Sequence, residues 1–455
     1  MKHISRFIQL QLFFLIVALI PAISFAEQSI TLIAAGVDRA NEKPFMTVSV
    51  NGGSNWTTKS LPYLGKYGRI MKISCTGIDS KLCVAVGAGS GPSIPLIAVS
   101  QDGGNIWEMP TEGIPAKGDL YDVSCTGSGA SAICVAAGPD SYGLSAKPIL
   151  VVSQDGGKHW QTKNIQGTVP PGTNAYHVSC TGEGSSSICV LAGNIGYQGA
   201  SIRDPFLAVS QDGGTTWNMK SFKGQNHDMI FHTVSCTGKG ASALCAAVGH
   251  ESTGSSLEEP PLIVVSKDGA TTWEIKSTSQ EIKGAMYLDV SCRGEGNSAF
   301  CVASGAKQDG YFSDYLVAVS NNAGQNWELR SIKGFPKADD DRATEVSCTQ
   351  KGICTVVGTL NQFEEGHIPF VAVSSDKGNT WNFKPSIQID HDETLWNVYC
   401  ADNASATTCI ASGYAGGETY ENPWFQISKN GGETWERNTS AMLPTSGNLR
   451  ALMIH

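Results

Sequence analysis

The chain has 455 residues, of which 16% are charged, 8% aromatic and 51 glycine, a balance that favours many short strands joined by tight turns over long helices. Its formal net charge is −9 and it holds no basic run able to neutralise phosphates, which excludes nucleic acid as a partner. Beyond the first 26 residues no stretch is apolar and long enough to span a bilayer, so membrane insertion is not expected.

Residues 1–26 read as a secretory signal: Lys2 and Arg6 form a basic start, residues 7–23 are mostly apolar, and Ser24, Phe25 and Ala26 offer a cleavage site. The mature chain then begins near Glu27 with 30 basic against 41 acidic residues, and a periplasmic or secreted protein is expected. Residues 30–36, ITLIAAG, follow as a short apolar strand with no strand before it to pair with.

Next comes a turn motif, Ser-x-Asp-Gly-Gly-x-x-Trp or a close variant, whose eight copies end at Trp56, Trp107, Trp160, Trp217, Trp273, Trp327, Trp381 and Trp435, 51 to 57 residues apart. A fixed long period signals stacked supersecondary units, so residues 27–455 are read as one domain. All 14 cysteines obey the same period, one pair between successive tryptophans: Cys75/Cys83, Cys125/Cys134, Cys180/Cys189, Cys236/Cys245, Cys292/Cys301, Cys348/Cys354 and Cys400/Cys409. Around them run Val-Ser-Cys-Thr-Gly, a small polar turn and Cys-Val-Ala-x-Gly. Two strands meeting in a hairpin would place each pair face to face, and local disulfides are the simplest pairing of an exported chain, each worth about 2–3 kcal/mol in the chain-entropy model.

After each second cysteine the pattern gives a variable loop, an apolar strand, the Asp/Gly turn and a last strand opened by the tryptophan. Each unit is thus a four-stranded antiparallel meander, A to D, and wedges of this kind packed around an axis make a β-propeller. At the far end residues 447–454, GNLRALMI, align with the strand A pattern. Strand A of the first unit should therefore come from the C-terminus and close an all-β ring of eight blades, with Leu32 and Ile454 where other blades have cysteines.

The turn motif resembles the Asp-box, or BNR repeat, of sialidases, sortilin-type receptor ectodomains, xyloglucan-degrading glycosidases and a photosystem assembly factor, over essentially the whole mature chain. The resemblance implies that the box is a folding element, in which Asp and Ser side chains bond the turn's backbone and the aromatic residue packs into the blade. Asp102, Asp155, Asp212, Asp268 and Asp376 are accordingly structural, as is fitting where Asn51, Asn322 and Asn430 take the same place. A sialidase would be implied to carry an arginine triad and an Arg-Ile-Pro motif; the nearest fragment, residues 67–71, lacks the proline, and Arg69, Arg342 and Arg450 lie near the starts of A strands.

In this connectivity the B–C and D–A loops share one face and vary most, which makes that face the expected place of function. Its candidate ligand residues are Asp390, Asp392 and Trp396 in a D–A loop and Tyr420 and Trp424 in the last B–C loop with Tyr414, while Tyr315 and His367 stand in two other B–C loops. A second set stands just before Val-Ser-Cys in each strand A: Lys72, Asp122, His177, Thr233, Asp289, Glu345 and Asn397, all polar and expected to ring the central channel. No nucleophile motif, phosphate loop or Cys/His metal cluster is present, Asp390-x-Asp392 lacks an EF-hand loop, and no metal or cofactor is expected. The sequence points to a monomeric, non-catalytic propeller that binds a glycan or a protein, with a glycoside hydrolase using loop-face carboxylates as the alternative.

Overall fold

The computed structural model describes residues 30–61, 68–76, 81–89, 94–196, 204–220, 228–252, 259–278, 282–309, 312–336, 340–362, 366–385, 392–403, 406–416, 422–438 and 443–455. The predicted leader lies outside them. The described residues form eight sheets, antiparallel apart from an added edge strand in two of them, and these are the blades of a β-propeller. Blade 1 takes strand B from Leu32–Asp38, strand C from Lys43–Ser49 and strand D from Thr57–Thr58, and its strand A is Gly447–Ile454 from the other end of the chain. The register sets Leu32 opposite Ile454, as Cys180 is set opposite Cys189 in blade 4. Paired backbone bonds of 2.8 Å between Thr31 and His455 fasten the end of the seam.

Strand A of blades 2 to 8 is Arg69–Cys75, Asp122–Thr126, Thr173–Thr181, Asp228–Thr237, Ala285–Arg293, Asp340–Cys348 and Glu393–Asp402. Each is joined to its strand B by one local disulfide with Cα atoms 4.0–4.1 Å apart: Cys75–Cys83, Cys125–Cys134, Cys180–Cys189, Cys236–Cys245, Cys292–Cys301, Cys348–Cys354 and Cys400–Cys409. The strand B partners, Cys83, Cys134, Cys189, Cys245, Cys301, Cys354 and Cys409, are all 0% exposed. Each lies in the apolar cluster where its blade meets the preceding one. These are the seven local pairs expected from the sequence, and the strand B sulfurs belong to the core because neighbouring blades cover that strand. Seven disulfides fit an oxidising compartment. Among the described residues no helix is long and apolar enough to cross a membrane.

The outermost strands depart from the expected meander. Blade 2 keeps only a bridge between Val99 and Glu108 in place of a fourth strand. Blades 4 and 7 gain a fifth, because Ile165–Gln166 and Ile332–Lys333, leaving the preceding blade, pair in parallel with Trp217–Lys220 and Trp381–Pro385. The added strands cover sheet edges that would otherwise present unpaired backbone.

Apolar side chains alternate between the two faces of each sheet, and the core is divided accordingly. Each interface between consecutive blades has its own cluster, so Ile133, Val135, Leu150 and Val152 of blade 3 meet Val178, Leu191, Phe206 and Trp217 of blade 4. Blade 1 closes on blade 8 in the same way, with Leu32, Ala34 and Phe45 against Ile410, Phe425 and Ile427. This is why strand B of blade 3, Ile133–Pro139, is buried along its whole length: neighbours cover both faces.

The turn motif works as a hydrogen-bonded clasp. In blade 4 the Ser210 hydroxyl donates to Asp212 Oδ1 (2.8 Å) and accepts from the Gly214 N–H (2.8 Å), while Asp212 Oδ1 accepts from the Thr216 N–H (2.9 Å). The Trp217 indole then donates to the Gly214 carbonyl at 3.0 Å, which seats the ring against blade 3. Gly213 and Gly214 have φ of +65° and +83°, the left-handed region the turn requires. Asn51, Asn322 and Asn430 accept the same serine hydroxyls at 2.9–3.0 Å, so an amide serves as well as a carboxylate.

Candidate functional site

Strand A lies innermost, and in seven of the eight blades its register with strand B slips at one place. The slip falls between Ile70 and Lys72, Ala175 and His177, Phe231 and Thr233, Tyr287 and Asp289, Ala343 and Glu345, Leu395 and Asn397, and, in blade 1, opposite Ala35 and Gly36. A β-bulge sets two residues against one and re-aims side chains. The strand B glycine of the Cys-Val-Ala-x-Gly pattern answers to it. A Cβ on Gly87, Gly249, Gly305 or Gly413 would come within 1.7–2.0 Å of a strand A carbonyl oxygen.

The bulge turns the polar position toward the axis. Lys72, Asp122, His177, Thr233, Asp289, Glu345 and Asn397 all line one central cavity of about 510 Å³. Several of these side chains are occupied in joining blades. Asp122 Oδ2 accepts the N–H of Val178, Asp289 Oδ2 that of Val346 and Glu345 Oε2 that of Val398, each at 2.9 Å, and Asn397 donates to the Leu449 carbonyl at 3.1 Å. Every one of these bonds reaches the next blade's innermost strand, whose edge would otherwise hold unpaired N–H groups.

Two residues further on, the serine of Val-Ser-Cys makes a second ring. Ser74, Ser124, Ser179, Ser235, Ser291 and Ser347 accept the N–H of Cys125, Cys180, Cys236, Cys292, Cys348 and Cys400 at 2.9–3.0 Å. Sequence spacing showed this serine recurring but not its partner, which belongs to the following repeat. Two departures from the repeat stand in the same channel. Arg293 takes the place of the threonine that follows the first cysteine, and Tyr399 takes the place of the serine; both line the cavity.

Charge within the channel is mixed. Lys72 Nζ stands 3.7 Å from Glu345 Oε1, and His177 Nδ1 stands 3.5 Å from Asp122 Oδ2. Burial, partly offset by Lys72, pushes the Glu345 carboxyl up to about 7. Burial raises the Asp289 carboxyl as well, against the bond it accepts from Val346. For Lys72 burial works against the charge, but the carboxylates of Glu345, Asp122 and Asp289 outweigh it and raise the ammonium above its ordinary value.

As an aligned set the position just before the polar one was not read from sequence, although two of its members, Trp396 and Arg450, were singled out there. At the loop-rich mouth this position presents Met71, Leu288, Thr344, Trp396 and Arg450 to the channel, joined by Tyr121 from blade 3, where the register does not slip. Tyr121 stacks on Tyr176 at 6.1 Å with 7° between planes. Trp396 is 47% exposed, its indole N–H donating to Thr394 Oγ1 (3.1 Å) and its ring stacked on Tyr414 at 6.2 Å. Beside it opens a cleft of about 500 Å³ at the seam of blades 8, 1 and 2, holding Arg39 and Arg450.

The other loop-face candidates separate. Asp392 bonds the His367 imidazole at 2.8 Å and its backbone N–H at 3.2 Å, bonds that hold the carboxyl below its ordinary value. Trp424 is only 2% exposed, in the core between blades 7 and 8 with the Arg437 guanidinium 4.5 Å over its ring, and so offers no surface for a ligand. Tyr315 is likewise turned inward, packing on Phe335 at 4.2 Å. Asp390 and Tyr420 lie outside the described residues. Of the three arginines singled out in the sequence, Arg69 pairs with Asp119 at 3.1 Å, Arg450 lines the cleft, and Arg342 stands two blades away from it.

No family model matches this chain, and no curated protein matches it. Among solved structures it is similar to YCF48 bound to D1 peptide, at 15% identity and a TM-score of 0.38 over 65% of this chain and 80% of that one. It is also similar to the Hadza microbial sialidase (12% identity, TM-score 0.39, 64% of this chain and 65% of that one). A third is the GH74 xyloglucanase from Xanthomonas campestris (12% identity, TM-score 0.35, 90% and 72%). At these values the likeness assigns neither activity nor ligand.

Proposed function

We propose that residues 27–455 act as one exported, non-catalytic binding propeller that takes a glycan or protein ligand on the face of the B–C and D–A loops. The observation that supports it is the employment of the channel carboxylates: Asp122, Asp289 and Glu345 each accept a backbone N–H of the next blade. A general acid or base must reach a substrate proton, and these groups are turned to holding the ring. The exposed, hydrogen-bonded Trp396 and the cleft beside it supply instead what recognition needs, an aromatic anchor with fixed orientation next to polar groups.

One observation favours a hydrolase as the second reading: Glu345, pushed up to about 7 by burial, would hold a proton to donate near neutrality. Assay of the purified mature chain against a panel of chromogenic α- and β-glycosides separates the two. The binding reading expects no turnover, together with glycan-array or peptide binding that weakens in Trp396→Ala. Turnover that disappears in both Glu345→Gln and Asp289→Asn overturns it.

A further inference from the structure

The seam cleft carries a cation, Arg450, among lining residues that include no carboxylate. Acidic residues outnumber Lys and Arg by 41 to 32 over the chain, yet Arg450 stands here beside Trp396, Asn397 and Asn448. Arg450 contacts only Asn448 Oδ1 at 3.2 Å and Met71 Sδ at 3.8 Å, and among the described residues no acid lies within ion-pair distance of it. Neighbouring Arg69 is provided for differently, by Asp119 at 3.1 Å. Arg450 is exposed, and partial desolvation, then repulsion from Arg69 and Arg39, hold its guanidinium below the ordinary value.

Trp396 lines the same cleft. Its bond to Thr394 and its stacking on Tyr414 fix the ring while nearly half of the residue stays open to solvent. An exposed indole of set orientation offers a flat apolar face, the complement of the C–H face of a pyranose. A guanidinium offers a planar donor fork that fits a carboxylate or sulfate bidentately. Asn397 and Asn448, also in the lining, add amides that suit hydroxyl groups. The volume of about 500 Å³ is that of a site for one or two sugar rings.

From this juxtaposition we propose that the cleft between Trp396 and Arg450 is a subsite for an acidic sugar, and that the ligand is a polysaccharide bearing uronate or sulfate groups. The inference rests on the loop-face binding reading and names its ligand class. The exposed indole favours a sugar over an acidic peptide, since one open stacking face beside a cation matches a ring carrying its charge at the edge.

The test uses the mature full chain and isothermal titration with oligogalacturonate and sulfated glycosaminoglycan oligomers, with neutral cello-oligosaccharides and a poly-glutamate peptide as counter-probes. Expected are binding of at least one acidic oligosaccharide, a loss of affinity of about tenfold or more in Arg450→Ala and Trp396→Ala, and weakening as NaCl rises from about 50 to 500 mM. Arg450→Lys, which keeps the charge and loses the fork, should recover only part of the loss, and circular dichroism of each variant checks its fold. Binding of neutral sugars that needs Trp396 and ignores Arg450 would leave the loop-face reading standing and sink this inference. Preference for the peptide, or acidic-sugar binding indifferent to both substitutions, would also overturn it.

Discussion

Replacing both Leu32 and Ile454 by cysteine should lock the ring with an eighth disulfide. The two residues face each other in the register that carries the native disulfides elsewhere, and they are 0% and 6% exposed. A native bridge here closes a loop of roughly ten residues, worth about 2.7 kcal/mol in the chain-entropy model, whereas the seam bridge would close one of about 420 residues, worth about 6 kcal/mol. Losing two buried aliphatic side chains removes about 3 kcal/mol of that, since a cystine restores part of the lost volume. A net gain of about 3 kcal/mol over the wild type remains. Peptide mapping by mass spectrometry reports the cross-link, and guanidinium unfolding without reductant compares the oxidised variant with wild type and with Leu32→Ser/Ile454→Ser. Free thiols in a natively folded variant, or a cross-linked variant no more stable than the serine one, would refute the closure argument.

The serine ring predicts a contrast set by burial. Ser291→Ala leaves the N–H of fully buried Cys348 without its acceptor and should cost about 1–3 kcal/mol, whereas Ser74→Ala faces the half-exposed Cys125, where water can substitute, and should cost under about 1 kcal/mol; equal losses in urea unfolding would count against the ring's role. In the turn motif Asp212→Asn should stay within about 0.5 kcal/mol of wild type and Asp212→Ala lose about 1–2 kcal/mol, because the amide keeps the acceptor as Asn322 does. Although burial opposes it, hydrogen bonds from Thr216 and Ser210 hold the Asp212 carboxyl below its ordinary value of 3.8, so its contribution is present above that pH and is lost as pH falls through the folded value. Glu345 runs the other way: burial raises its carboxyl from 4.5 to about 7, so its contribution is present below 4.5 and is lost as pH rises through 7. Thermal unfolding from pH 5 to 8 should therefore show wild type losing ground to Glu345→Gln, and parallel profiles would contradict that cause.

Much of this architecture is written in one dimension. The tryptophan spacing, the cysteine pairs and the unpaired strand at residues 30–36 are local patterns, and they suffice for blade number, disulfides and closure. The polar residue before Val-Ser-Cys was also readable, because a polar side chain on a buried strand needs a channel to face. The serine ring was not, since each hydroxyl serves a cysteine about 50 residues later and nothing within one repeat reveals the partner. Trp424 shows the reverse failure: an aromatic residue in an acidic loop segment reads as surface, but its own strand carries it into the interface with blade 7. Arg39 escaped notice because its meaning lies in standing beside Arg450, more than 400 residues away in sequence and in the same cleft.

Blades 2 to 8 each draw their strands from one continuous stretch, whereas blade 1 needs Gly447–Ile454, which leaves the ribosome after every other described strand. During production seven wedges can therefore form while the earliest one waits with half its backbone partners missing. A product cut short just before this segment would contain almost every described side chain and still leave the inner edge of Leu32–Asp38 without a partner strand. Shutting the circle is thus the last act of folding, possible only once Gly447–Ile454 has been made.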